Sequence, residues 1–95
     1  MATIRRLVLD VLKPHEPSMV ELAEETADVD GVTGVNATLM EIDEEVENVK
    51  VTVAGDDIDD NAVNTVIDDL GGSIHSVDEI VCGEEIVEAS STPQD

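Results

Sequence analysis

The stretch VKVTVAGDDIDDNAVNTVIDDLGG, residues 49–72, changes its hydrophobic period half way along, and that change decides the fold. Val49, Val51 and Val53 alternate with polar neighbours, the two-residue repeat of a strand with one buried side. Val63, Val66, Ile67 and Leu70 then recur at i, i+3, i+4 and i+7, the stripe of a helix packed along one side. Gly71-Gly72 supplies a left-handed stop. A strand therefore hands over to a helix across the acidic segment AGDDIDDN.

The same two periods recur outward from this point. TIRRLVLDVLK, residues 3–13, alternates: Leu7, Leu9 and Val11 point one way, and Ile4, Arg6, Val8, Asp10 and Leu12 the other. Pro14 and Pro17 bracket a turn, and Pro17 suits the first turn of a helix, where its missing N–H has no intrahelical partner. In PSMVELAEETADV, the residues Met19, Val20, Leu22, Ala23, Ala27 and Val29 form an apolar stripe, with Glu21, Glu24, Glu25 and Asp28 outside it and Gly31 ending it. GVNATLMEID alternates again, with Val35, Ala37 and Leu39 on one face, and the polar EEVEN joins it to VKVTV as a hairpin. SIHSVDEIVC, residues 73–82, is a last strand whose irregular alternation predicts a bulge near Val77.

The order β-α-β-β-α-β predicts an α+β fold, the ferredoxin-like plait. Its four strands form one antiparallel sheet in the order 4-1-3-2, with both helices on one face and strands one and three expected to run parallel in the middle. Residues 1–84 make the single domain, and the acidic tail 85–95, with little to bury, is expected to be disordered. Ile4, Val8 and Leu12 on the first strand, with Met40 and Ile42 on the second, should project from the uncovered face. Apolar side chains gathered there predict self-association through the bare sheet or its edges.

Charge narrows the partners. The chain has 24 acidic residues against four basic ones, a net charge of −20, and no Phe, Tyr or Trp. Such a surface repels phosphate backbones and anionic membranes and lacks the aromatics on which bases stack, so nucleic-acid and membrane partners are excluded. An acidic chain with periodic apolar residues reads instead as a folded protein kept soluble in strong salt, and a halophilic host is expected. No window approaches the length of a membrane span and no cleavable leader follows Arg5 and Arg6. The single Cys82 has no partner for a disulfide, which fits a reducing cytoplasm.

AGDDIDDN is the segment most like a metal loop. Counted from Asp57, however, an EF-hand register lacks its glycine at Ala62 and its glutamate at Asp68, and the helix is already running at Val63. The acids from Asp56 to Asp60 are better used to cap that helix and complement its positive end. If the ends of strands one and three share a rim with the starts of strands two and four, His15, Glu16, Asp56, Asp57, Ser73 and His75 converge. His15, Glu16, Asp56, Asp57 and His75 are then candidate ligands for a divalent cation, zinc-like if both histidines take part and calcium if only oxygens do. A Cys82–His75 nucleophile pair is excluded, since seven residues of strand separate them by about 23 Å.

IRRLVLDVLKPHEPS, MEIDEEVENVKVTVAG and GGSIHSVDEIVCG together resemble the archaeal domain-of-unknown-function family 211, over about residues 2–84. The resemblance implies a ferredoxin-like fold, assembly into closed oligomers and an archaeal source; it implies no established activity. Lys13, Pro14, His15, Glu16, Pro17 and His75 are the family-like residues on the expected rim, and the tail after Glu84 lies outside the match. Small heavy-metal-binding domains share the rhythm of the chain but carry C-x-x-C where this sequence has KPHEPS. The sequence thus points to a non-catalytic, self-associating domain that binds a metal ion or small effector at its rim. A ligand-sensing module acting on another protein, and an acid–base enzyme using the same rim, are the alternatives.

Overall fold

A computed structural model describes residues 2–90. The elements are β1 (Ile4–Pro14), α1 (Met19–Ala27), β2 (Val32–Ile42), β3 (Val46–Gly55), α2 (Asp60–Asp69) and β4 (Ser73–Cys82), in the β-α-β-β-α-β order of a ferredoxin-like α+β fold. The strands lie side by side as β2-β3-β1-β4, and every neighbouring pair is antiparallel. The expectation that β1 and β3 run parallel is therefore corrected. The crossover through α1 returns β2 in the direction of β1, and the hairpin then reverses the chain, so β3 must run against β1 when it inserts beside it.

The core forms where the alternation placed it. Leu7, Leu9 and Val11 of β1 and Val49, Val51 and Val53 of β3 meet Leu22 and Val29 from the α1 segment and Val63 and Ile67 from α2. Each such side chain, fully buried, contributes about 1.5–3 kcal/mol by leaving water. Ile58 joins this cluster from the middle of the acidic segment. In α1 the Ser18 side chain accepts a hydrogen bond from Glu21 N at 3.2 Å, so Ser18 is the cap and Pro17 lies just before the helix rather than in its first turn. Val20, expected in the stripe, is exposed, and Thr26 is buried in its place with Oγ1 donating to Leu22 O at 2.7 Å. A hydroxyl can be buried there because the carbonyl of the preceding turn accepts its proton.

The uncovered face differs from the expectation. Ile4 packs against the core cluster, because the β1–β4 register slips between Ile4 and Arg6. Val8 is buried and Leu12 half-buried within one chain. A second slip, between Leu39 and Glu41, sets Glu41 opposite Asn48 and moves Ile42 opposite Glu47. Of the large apolar side chains left in water among the described residues, Leu39, Met40 and Ile42 lie on β2 and Val77 and Ile80 on β4, the two outer strands; Val20 on α1, Val46 at the start of β3, and Ile86 and Val87 after β4 are exposed as well. The β1–β4 pairing also slips beside Val77, as the irregular alternation suggested.

Residues 84–90 form neither helix nor strand, and two arginines hold them. Arg5 donates from Nη1 to the carbonyls of Gly83 and Glu84, at 3.2 and 3.0 Å. Arg6 grips the Glu88 carboxylate with both terminal nitrogens, at 3.0 and 2.9 Å, and also bonds Glu79. The last part of the tail, 91–95, lies outside the described residues.

Candidate functional site

The antiparallel arrangement splits the expected rim in two. Pro14 lies opposite Val46 and Leu12 opposite Ser73, so His15 and Glu16 share their end of the sheet with the β2–β3 turn and the start of β4. Arg6 lies opposite Ala54, which puts Asp56 and Asp57 at the other end of β1, roughly 30 Å away at the usual rise per residue. His15, Glu16 and His75 thus sit at one end of the sheet and Asp56 and Asp57 at the other. Among the described residues no three His, Cys, Asp or Glu side chains are grouped so as to hold a metal ion.

The acidic segment builds a corner. Asp56 N donates to Gly31 O at 2.8 Å, Ile58 N to Ile4 O at 3.0 Å and Asp59 N to Asp30 O at 3.2 Å. Asp57 takes a positive φ of 64°, a conformation that Asp tolerates better than most residues. Asp59 caps α2, its side chain accepting from Ala62 N at 3.1 Å. Three backbone donors of the loop thus face other backbone, and Ile58 plugs it into the core.

At the opposite end, Lys13 continues the inward row of Leu7, Leu9 and Val11 and is only 3% exposed. A buried ammonium needs partners. It donates to Pro14 O at 2.7 Å and to Glu47 Oε1 at 2.9 Å. The second oxygen of Glu47 lies 3.0 Å from His15 Nδ1, and His15 Nε2 lies 3.0 Å from the Glu44 carbonyl oxygen. Hydrogen bonds from His15 and then Lys13 hold the Glu47 carboxyl below the usual carboxylate range. The bond to Glu47, reinforced by the Glu44 carbonyl, pushes the His15 imidazole above its ordinary value. Glu47 passed unnoticed in the sequence because EEVEN reads as a solvated turn. The signal that could have found it is Lys13, which falls on an inward position of the alternation and so demands a countercharge.

His75 sits elsewhere, on the open face of the sheet. There it lines a groove of about 300 Å³ with Asp10, Leu12, Glu41, Ile42 and Asp43. The amide of Asn48 hydrogen-bonds Asp10 on its floor. Cys82 is exposed and pairs with Ile4, whereas Ser73, two residues before His75, pairs with Leu12, so thiol and imidazole stand at opposite ends of β4. The groove offers carboxylates and one imidazole to a cationic group, with no nucleophile beside a base.

No helix among the described residues is long and apolar enough to cross a membrane. An uncharacterized protein of Methanocaldococcus jannaschii is 50% identical over 95 residues, spanning 100% of this chain and 98% of its own. The DUF211 family, described as uncharacterized ArCR, matches residues 5–95, so the tail after Glu84 lies inside the match and not beyond it. On this match, and on a relative similar from end to end, the chain belongs to the DUF211 family.

Proposed function

We propose that this chain is a non-catalytic, cytoplasmic domain that assembles with copies of itself through the edges of its sheet. The observation that supports this is the apolar character of both outer strands. The free backbone groups of an edge strand pair with any strand that approaches, and exposed apolar side chains beside them add to that tendency even where, as here, the edges are bulged. Here Met40 and Ile42 at the end of β2 are 56% and 61% exposed, and Val77 and Ile80 on β4 are 54% and 55% exposed. The two patches differ and lie on opposite edges. A contact between β2 of one copy and β4 of the next is head to tail, and it closes into a ring where the rotation permits.

Native mass measurement and light scattering across a salt series test the reading. Assembly is expected, and Met40→Asp/Ile42→Asp or Val77→Asp/Ile80→Asp should each dissolve it. A monomer under every condition would contradict it. A second reading, a small cationic effector in the open-face groove, is favoured by the convergence of Asp10, Glu41, Asp43 and His75 there. Calorimetric titration with small diamines, compared between the native chain and Glu41→Gln/Asp43→Asn, separates the two.

A further inference from the structure

Both ring nitrogens of His15 face oxygens that can only accept: a carboxylate oxygen of Glu47 and the carbonyl oxygen of Glu44, each at 3.0 Å. A neutral imidazole carries one N–H, so it satisfies one of these and turns a lone pair toward the other. Placing the missing proton on Glu47 is opposed by Lys13, whose buried ammonium already donates to the other carboxylate oxygen at 2.9 Å. The arrangement is complete for the imidazolium alone. Through it, the β1–α1 turn is tied to the first residues of β3 by Glu47 and to the β2–β3 turn by Glu44. The His15 side chain is 39% exposed, so water can deliver and remove its proton.

We infer that His15 is a proton-operated clip that fastens the β2–β3 turn to the end of β1 when charged and releases it when neutral. The charged and titratable groups around it come from every neighbouring element: Lys13 from β1, Glu47 from β3, Glu44 and Asp43 from the turn, and Glu16 beside it in the chain. Lys13 is the only cation among them, and it is engaged by Glu47. The balance of the site therefore favours a charged imidazole, in keeping with the upward displacement of His15. Since the folded-state value is raised, the clip is fully closed below the ordinary histidine value of 6.5 and opens as pH rises through the raised one. Glu47 is displaced downward and stays ionised throughout that window, so His15 alone does the switching.

What the clip moves is the wall of the open-face groove. The released turn contains Asp43, whose N–H bonds Val46 O at 2.9 Å, and it joins Ile42 to Val46. Acid therefore sets the groove and the end of the β2 edge in one position, and alkaline conditions free them. The inference does not depend on self-association.

The test uses the intact chain and two readouts. Nitrogen-15 NMR of the histidine rings, with His75→Gln for assignment, should show His15 protonated at both nitrogens below the ordinary value and titrating above it. Amide exchange of residues 43–47, corrected for the intrinsic rate, should lose protection about tenfold across that titration, the change expected from one charge-assisted hydrogen bond. In His15→Gln the step should vanish while the fold, followed by far-ultraviolet circular dichroism, is kept. A neutral His15 in acid, unchanged protection across its titration, or a step that survives in His15→Gln would each overturn the inference.

Discussion

Gly55 lies so close to Gly31 that a methyl group on it would overlap the Gly31 carbonyl oxygen and come within 2.9 Å of Ile58 Cγ1. Gly31 itself, at φ 88°, has the carbonyl of Asp57 where its own side chain would go. Backbone meets backbone here because the loop after β3 must pass over the start of β2 to bring Ile58 into the core. Gly55→Ala and Gly31→Ala should each destabilise by about 3 kcal/mol, the upper end of what single substitutions ordinarily do. Gly34 has open space around it, and Gly34→Ala should be neutral or stabilise by up to about 1 kcal/mol. Urea unfolding followed by circular dichroism reads all three, since no Trp or Tyr is present to fluoresce. Equal losses at positions 34 and 55 would contradict the close approach.

The acidic corner carries a second expectation. Asp59 accepts from Ala62 N and so satisfies a donor that the first turn of α2 leaves free. Asp59→Ala should cost about 1 kcal/mol, while Asp57→Asn, which keeps the same tolerance for positive φ, should cost little. If the loop serves as a corner and cap, adding calcium or a chelator leaves the unfolding midpoint where it was. A clear rise with calcium, lost in Asp57→Asn, would restore the cation loop.

The tail gives a third, with a definite sign in pH. Hydrogen bonding to Arg6 holds the Glu88 carboxyl below the usual carboxylate range. A group displaced downward on folding contributes above its unfolded value and loses that contribution as pH falls through the folded one. Tail docking should therefore persist at neutral pH and fail in acid below the ordinary carboxylate range. Both partners lie near water, so global stability should barely move. Protease cleavage within residues 84–90 is the sensitive measure. It should speed up several-fold in Arg6→Gln and in Glu88→Gln at neutral pH, whereas equal cleavage in both variants and the parent would show that the latch does not hold the tail.

How much of this was legible depended on what each residue's neighbours had to be. The strands and helices could be read because Val49-Val51-Val53 and Val63-Val66-Ile67-Leu70 report only on their own element. The strand order followed from element order. The direction of β3 against β1 was also implied by the hairpin, and mistaking it carried Asp56 and Asp57 to the wrong end of the sheet. Ile4 could not be placed by counting, because a slip of one residue changes which partner, and which face, a side chain meets, whereas Ile42 lines the open face as the alternation suggests. Ile58 was masked by the four aspartates around it, and Glu47 by the acids of EEVEN. Burial of one residue in a polar run leaves no period to detect.

Salt should stabilise this chain, and the form of the dependence tells which cause acts. A net charge of −20 on 95 residues, with Lys13 buried and Lys50 the one exposed cation of the four, makes the folded state repel itself in dilute buffer. If screening relieves this, the unfolding midpoint rises steeply at low salt and levels off near 1 M, where the Debye length has shrunk to about 3 Å, with chloride and sulfate alike at equal ionic strength. If salt acts by strengthening burial of the aliphatic core, the midpoint keeps rising beyond that point and sulfate exceeds chloride. The clustered charge argues for screening at the low end. The core, made of small branched side chains without an aromatic ring, argues for a further sulfate-dependent rise above it. Thermal melts by circular dichroism in the two salts resolve the components, and a midpoint already at its maximum in dilute buffer would remove the reason for expecting a salt-loving host.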